Sequence, residues 1–360
     1  MGTSRKKYEF EPDYAVPPGV TLLEVMESLE MTQKELAVRT GLTEQTLIRI
    51  FKGNQPLSYE TANRLELVTH VPARMWNNLE AQYREQLAKL EERQRLESNL
   101  QWLMTIPTKE LIERGCLDAK TDKVTLLRSA LAFFGVSNIE AWQEVWVTPE
   151  VAARRSLCFE TRPGDAAAWI RQGELQAHET ECTPFDKKHF KETLQQIRGL
   201  TQEQPGVFMP EMKKLCAQSG VAVAFVREMK KVPWNGATKW LTPSKAMILL
   251  SLRGRGEDKF WFSFFHEAGH VLNDGKKVLL INDEKLDDPR EIKADKFAAE
   301  ILIPTRYDSF ISRLQSRAEV KAMATELGIA PGIVAGRYQF LTKKWHVFRE
   351  LIRKLEWAEQ

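Results

Sequence analysis

Two histidines stand four residues apart in "KFWFSFFHEAGHVLND", residues 259–274, and this spacing constrains the fold more than any other feature of the chain. Positions four apart in a helix share one face, so the imidazoles of His266 and His270 can reach one ion. Zinc accepts imidazole nitrogens in a tetrahedron, and two histidines one turn apart span two of its corners. Glu267 is rotated away from that face and can reach a water on the metal as general base. The segment therefore predicts a zinc-holding helix, with Gly275 as its left-handed cap.

A second helix is predicted shortly downstream, in "LDDPREIKADKFAAEILIP", residues 286–304. Asp288 and Pro289 suit its N-cap and first helical position. Glu291 could supply the third zinc ligand, and Asp295, one turn later, could accept the free N–H of a liganding histidine. Two solvated carboxylates are the alternative in a chain that is 28% charged. The preceding His-Glu-x-x-His segment favours the metal site.

These residues carry a family resemblance. The pattern His-Glu-x-Gly-His after a run of aromatic residues, followed by Glu-x-x-Ala-Asp-x-Phe-Ala-x-x-x-x-x-Pro, resembles the ImmA/IrrE family of bacterial metallopeptidase domains over about residues 205–305. The resemblance implies a zincin fold. In that fold His266, His270 and Glu291 would bind zinc, and Glu267 would be the catalytic base.

A second motif lies in the first hundred residues, where residues 20–79 predict a compact set of short helices. Thr32 and Glu35 form a capping box, Gly41 ends that helix, and Thr43 caps the next one. Two helices joined by a short turn with glycine are the helix-turn-helix arrangement. Its core is expected to contain Leu36, Ala37, Leu42, Leu47, Ile48 and Ile50.

A polar, amide-rich face remains outside that core, and it suits the base edges and phosphates of a DNA major groove. The predicted DNA-binding residues are Gln33, Thr43, Gln45, Thr46, Arg49, Lys52 and Asn54. Charge alone would not predict DNA as a partner, because residues 1–97 carry 13 Lys and Arg against 15 Asp and Glu. The alternative is a small helical bundle with a solvated face.

Residues 17–90 resemble the Xre-like domain of HigA-type antitoxins, since the match continues into the pattern Pro-x-x-x-Trp-x-x-Leu-x-x-x-Tyr. The resemblance implies a homodimer that binds operator DNA, often an autorepressor that also neutralises a toxin. Two hypotheses follow. The protein is a regulator that cleaves a protein substrate, such as a repressor or a cognate toxin. Alternatively, it is a non-catalytic antitoxin and autorepressor whose metal domain only binds or senses a partner.

Helices and a small sheet are predicted between the two motifs. Trp76 to about Leu103 reads as one long charged helix with a thin apolar stripe, which could be a dimer seam or a spacer. Two strand-like runs, residues 221–229 and 246–254, flank a turn predicted in "PWNGATKW". They predict a short mixed sheet on the zinc helix, and one of its edges could hold an extended peptide.

The predicted fold class is therefore α+β and mostly helical, with an N-terminal all-α helix-turn-helix domain, a helical linker region and a C-terminal zincin-like domain with a small sheet. The predicted boundaries are an N-terminal arm over residues 1–16, the helix-turn-helix domain over 17–78, the helical linker over 79–200, the metallopeptidase domain over 201–305 and a helical extension over 306–360.

Composition limits the cellular setting. The 360 residues are 43% hydrophobic with a net charge of +3, and no apolar run is long enough for a membrane span. Basic residues near the N-terminus are not followed by the apolar region of a signal peptide. The cysteines are widely spaced and expected to be reduced; they are Cys116, Cys158, Cys182 and Cys216. These features predict a cytoplasmic protein that has no membrane partner.

Overall fold

The computed structural model describes residues 13–147, 163–275, 280–281 and 288–357. Most of the predicted N-terminal arm, and Cys158, lie outside these ranges. The chain divides into two compact units, Met1–Leu100 and Gln101–Gln360. Within the described ranges, no helix combines the length and the apolar character needed to cross a membrane.

The described part of the first unit is built from helices. They are α1 (Pro18–Ser28), α2 (Gln33–Thr40), α3 (Glu44–Phe51), α4 (Tyr59–Thr69) and α5 (Ala73–Glu97). The predicted caps form: Thr32 Oγ1 accepts from the backbone N–H of Glu35 at 3.2 Å, and Thr43 Oγ1 from that of Thr46 at 3.1 Å. Gly41 has a φ of 68°, a left-handed conformation that glycine adopts without strain, so the chain turns directly from α2 into α3.

The core of the first unit differs from the prediction at one residue of α3. Leu47 and Ile50 are buried, but Ile48 is 41% exposed, so its assignment to the core was wrong. The inward face of this short helix is already filled by its two neighbours. The predicted long helix also ends earlier, at Glu97, and a separate 3₁₀ turn follows over Leu100–Met104.

The second unit contains the remaining helices and all the described strands. Its helices are α6 (Thr108–Glu113), α7 (Lys123–Phe134), α8 (Ile139–Trp146), α9 (Pro163–Glu179), α10 (Lys187–Gly199), α11 (Pro205–Ala217), α12 (Glu257–Asn273), α13 (Pro289–Leu302), α14 (Asp308–Ile311), α15 (Arg317–Leu327) and α16 (Pro331–Thr342). Its strands are β1 (Val221–Phe225), β2 (Gly236–Thr242), β3 (Lys245–Leu250) and β4 (Leu280–Ile281). Short 3₁₀ turns lie at Leu200–Gln202, Thr305–Tyr307 and Arg349–Leu351.

The four strands form a mixed sheet in the order β1-β3-β2-β4. β1 runs parallel to β3, whereas β2 pairs antiparallel with both β3 and β4. The predicted mixed sheet is therefore confirmed. The turn predicted in "PWNGATKW" is wrong from Gly236 onward, because that part forms β2. Ala237 and Thr238 are buried, and pairing with β3 supplies the tertiary support that the local glycine-containing sequence did not reveal.

Helix α12, which contains the His-Glu-x-x-His segment, lies at the centre of the second unit's core. Its aromatic run is buried: Phe260, Trp261, Phe264 and Phe265. A helix that is apolar on nearly every side must be covered on every side. The C-terminal segment contributes to this cover, since Arg353 pairs with buried Glu257 at 2.7 Å and the backbone N–H of Leu355 donates to the carbonyl of Arg255 at 2.7 Å. The mostly helical α+β class is confirmed.

Candidate metal centre and nucleic-acid interface

The three predicted metal ligands converge inside the second unit. His266 and His270 come from α12 and Glu291 from the first turn of α13, and all three are buried. Nε2 of His266 lies 3.0 Å from Nε2 of His270 and 3.0 Å from Oε2 of Glu291. Oε1 of Glu291 lies 3.3 Å from Nε2 of His270. One nitrogen from each histidine and the carboxylate of Glu291 therefore face a common point.

Close packing of α12 against α13 makes this convergence possible. A Cβ on Gly269 would stand 3.3 Å from Cα of Ala294, a tighter contact than nine in ten real Cβ atoms make. Two small residues at the crossing thus let the helix axes approach. At the start of α13, the side chain of Asp288 caps the helix by accepting from the N–H of Arg290 at 2.9 Å, as predicted.

Carboxylates hold the outer nitrogen of each histidine. Nδ1 of His266 lies 2.8 Å from Oδ1 of Asp295, and Nδ1 of His270 lies 2.7 Å from Oδ2 of Asp274. Because an ionised carboxylate can only accept, each Nδ1 donates a proton to it. The proton on Nδ1 leaves the Nε2 lone pairs available for a cation, which is the arrangement that metal-ligating histidines adopt.

Asp295 was predicted from the sequence, whereas Asp274 was not. The available signal was its position one helical turn after His270. The expectation that Gly275 caps α12 in the left-handed conformation was wrong: α12 ends at Asn273, and Asp274 is extended, with φ −108° and ψ 164°. Gly275 has no positive φ. The extended backbone lets Asp274 turn its carboxylate back toward His270.

The donor set fits a divalent metal ion. Lone pairs on two nitrogens 3.0 Å apart repel each other unless a proton or cation lies between them. Tetrahedral zinc with bonds of about 2.0–2.1 Å separates neighbouring ligand atoms by roughly 3.3 Å, close to the observed spacing. Two nitrogens and a carboxylate oxygen are also ligands that zinc accepts. These three residues could therefore hold a metal ion.

Hydrogen bonds within the cluster favour protonated histidines beside an ionised Glu291. Burial lowers the pKa of His266, but hydrogen bonds to Asp295 and Glu291 outweigh burial and raise that pKa to about 10. Burial likewise opposes ionisation of Glu291, but hydrogen bonds from the two histidines hold its pKa at about 2. A metal ion must displace these protons, so metal affinity depends on pH.

Glu267 lies beside the triad without joining it. It is fully buried, and burial raises the pKa of its carboxyl group. Oε2 accepts a hydrogen bond from Thr238 Oγ1 at 2.7 Å, whereas Oε1 has no hydrogen-bond partner within the described residues. Such a carboxylate can take up a proton. Thr238 was not predicted from the sequence, because its segment was interpreted as a turn and no local pattern indicated this residue.

The predicted DNA face in the first unit is largely open. Four of its side chains are exposed and make no hydrogen bond within the described ranges: Gln45, Arg49, Lys52 and Asn54. The remaining three make local bonds. Thr43 Oγ1 lies 2.8 Å from Thr46 Oγ1 within the α3 cap, and Gln33 Nε2 donates to the carbonyl of Glu44 at 3.2 Å. The open side chains can reach a ligand, and the bonded ones fix the turn that presents them.

Ile48 belongs to this face rather than to the core. It lies three residues after Gln45 and four before Lys52, spacings that place all three side chains on one side of α3. An apolar side chain among polar ones can contact the methyl group of thymine in a major groove. Helical periodicity within α3 was the signal that could have found it.

Comparison with known families gives two matches. Residues 22–76 match the family model described as helix-turn-helix, and residues 224–337 match the one described as IrrE N-terminal-like domain. No curated protein matches the chain. The first match includes α2 and α3, and the second includes α12 and α13 with the converging triad. Both predicted resemblances are confirmed at the level of these families, while the HigA-type assignment stays a prediction. The chain joins an N-terminal helix-turn-helix domain to an IrrE N-terminal-like domain of the metallopeptidase type.

Proposed function

We propose that this protein is a DNA-binding regulator whose C-terminal domain is a zinc-dependent endopeptidase that cleaves a regulatory protein partner. One observation carries the proposal: a buried carboxylate, that of Glu267, lies beside His266, His270 and Glu291 and is not needed to hold a metal. A structural zinc site is normally closed by four protein ligands, whereas three ligands leave a position for reaction. The proposed substrate is a repressor or a toxin.

The chemistry follows from the residues at the site. Zinc held there would supply a Lewis acid that polarises a peptide carbonyl and lowers the pKa of a water. Asp295 and Asp274 keep the two imidazoles oriented through their Nδ1 protons. Glu267 accepts a proton from the attacking water as the new C–O bond forms. It then passes that proton to the amide nitrogen as the C–N bond breaks. An edge of the sheet is proposed to hold the substrate peptide by main-chain hydrogen bonds.

Expression in cells tests the peptidase proposal. Wild type and Glu267→Gln are expressed at matched levels with a candidate partner, chosen from proteins encoded beside this one, and partner fragments are identified by mass spectrometry. We expect a fragment with wild type and none with Glu267→Gln. Equal partner levels with both proteins, under every stress tried, would rule out the peptidase.

For the N-terminal domain we propose binding to a palindromic operator as a homodimer, with the two copies of α3 in successive major grooves. The exposed Gln45, Arg49 and Lys52 support it. Gel shifts compare DNA upstream of the gene with random DNA at moderate salt. The proposal requires a clear preference for the upstream DNA, and equal binding to both would contradict it.

The resemblance to HigA-type antitoxins favours a second candidate: a non-catalytic antitoxin and autorepressor whose metal domain only binds or senses a partner. The open face of α3 serves this function equally well. Under this alternative, Glu267→Gln leaves partner stability and repression unchanged, while Arg49→Ala still relieves repression.

Three further expectations stay predictions. They are a cytoplasmic location, the lack of a membrane partner, and the domain boundaries 17–78, 79–200 and 201–305.

A further inference from the structure

We propose that Gly236 and Thr238 of β2 are positioning residues for Glu267, and that Oε1 of Glu267 is the oxygen that exchanges the proton. This inference rests on the proposed zinc-endopeptidase function and deepens it. Neither residue belongs to the His-Glu-x-x-His motif, and both lie on a strand that precedes α12 in the chain.

The hydroxyl of Thr238 fixes one carboxylate oxygen. Oγ1 lies 2.7 Å from Oε2 of Glu267 and 3.1 Å from the backbone carbonyl oxygen of the same residue. A hydroxyl has one proton to donate, and the nearer, charged acceptor forms the stronger bond. Thr238 and Glu267 are both buried, so bulk water does not compete for this bond. Oε2 is therefore held on the β2 side.

The missing side chain of Gly236 leaves room for the other oxygen. A Cβ at this position would lie 2.7 Å from Oε1 and 2.8 Å from Cγ of Glu267, closer than real Cβ atoms come to any neighbour. Gly236 does not have a positive φ, so the backbone conformation does not require glycine. The position of the Glu267 carboxylate does require glycine, because any side chain at residue 236 would push Glu267 out of place.

Sheet pairing holds both residues in front of α12. Gly236 pairs with Leu250 and Thr238 with Ile248 of β3, and residues two apart in a strand point to the same face. β2 thus places the space left by Gly236 and the hydroxyl of Thr238 against the carboxylate of Glu267. Because β3 fixes the strand, the orientation of Glu267 is set by the sheet as well as by its own helix.

This arrangement assigns different roles to the two oxygens. Oε2 is occupied by the Thr238 hydroxyl, while buried Oε1 lacks a hydrogen-bond partner within the described residues. In the proposed reaction, the O–H bond of the attacking water breaks and an O–H bond to Oε1 forms. That bond breaks in turn when the proton moves to the leaving amide nitrogen, which restores the carboxylate.

The test uses the zinc-loaded full-length protein and acetohydroxamate as the probe. Two oxygens of a hydroxamate chelate zinc, and its proton is shared with a base beside the metal. The variants are Thr238→Val, which keeps the shape but removes the hydroxyl, Gly236→Ala, and Thr238→Ser, which keeps the hydroxyl. Matched controls are Thr242→Val on the same strand, where the side chain is exposed, and Gly199→Ala, where an added Cβ meets no atom within 4 Å.

We expect Thr238→Val and Gly236→Ala to bind acetohydroxamate about tenfold more weakly or worse, since a hydrogen bond to a charged group contributes roughly tenfold to a hundredfold. Zinc affinity, measured by competition with a chelating dye, should stay unchanged in both. Thr238→Ser and the two controls should bind zinc and acetohydroxamate like wild type.

Three results would overturn the assignment: acetohydroxamate affinity unchanged in Thr238→Val, zinc affinity lost together with probe affinity, or no probe binding to the zinc-loaded wild type. If Gly236→Ala does not fold, the comparison of Thr238→Val with Thr238→Ser decides alone. Failure of the proposed function looks different: the wild type then either binds no zinc, or binds zinc and acetohydroxamate but yields no partner fragment in cells. Zinc bound by all proteins, with equal probe affinity in all, removes only the roles of Gly236 and Thr238.

Discussion

The DNA face and the metal centre are built in opposite ways. The face is formed by one continuous segment, residues 33–54, and its open side chains are exposed. The metal centre draws on β2, α12 and α13, and its principal residues are buried. Water screens a surface contact, so the loss of one side chain weakens binding gradually. In a buried cluster of charges, each partner determines the protonation and orientation of the next. Substitutions at the two places should therefore differ in size and in kind.

The largest effect is expected at Glu267. In Glu267→Gln the side chain keeps its size but cannot accept the proton, so hydrolysis of a cleavable partner should fall by about 10²–10⁴-fold. Zinc content and operator affinity should stay unchanged, because metal binding does not need this residue and the DNA face lies in the other unit. Cleavage rates from quantitative gels give the fold-change. Undiminished hydrolysis would contradict the role of Glu267.

Removal of a metal ligand should weaken metal binding itself. Glu291→Ala leaves two histidines facing each other without the carboxylate, and zinc affinity should weaken by about 10–100-fold or more. Glu300→Ala, on the same helix but exposed, is the matched control and should bind zinc like wild type. Competition with a chelating dye measures both affinities. Equal zinc binding in wild type and in a His266→Ala, His270→Ala double variant would eliminate the site.

Loss of one exposed side chain of α3 should have a moderate effect, and only on DNA binding. Arg49→Ala should weaken binding to the specific operator by roughly 1–3 kcal/mol, the range for one good base contact. Arg74→Ala removes an exposed arginine from α5 and should leave affinity unchanged. Fluorescence anisotropy at fixed salt measures the difference. If both variants bind as wild type does, α3 is not the recognition helix.

The smallest effect is expected at the N-cap residues, where helix stability and DNA recognition can be measured separately. Thr43→Ala and Ser58→Ala each remove an N-cap bond, of 3.1 Å in both cases, and each should lower the free energy of unfolding of the first unit by about 1 kcal/mol. Only Thr43→Ala should also weaken operator binding, since Thr43 caps the N-terminus of α3. Urea denaturation followed by circular dichroism measures stability. Equal operator affinities for the two variants would place Thr43 outside the interface.

The two sites also differed in how far the sequence predicted them. The caps at Thr32 and Thr43 and the end of α2 at Gly41 were correct, because each depends on hydrogen bonds or dihedral angles within a few residues. Ile48 was wrongly predicted to lie in the core, because the prediction considered its hydrophobicity and not its position on the helix. β2 was interpreted as a turn for a similar reason: a local glycine signal outweighed a strand that exists through its pairing with β3.

The sequence by itself determined that His266 and His270 share one helical face and that Thr43 caps α3, because helical geometry and capping act over one turn. Only the tertiary structure decided that Glu291 meets both histidines, that Asp274 turns back to His270, and that Gly236 and Thr238 hold Glu267. These relations depend on how helices and strands pack across the core. Packing is the summed result of many side chains, so no short stretch of sequence contains it.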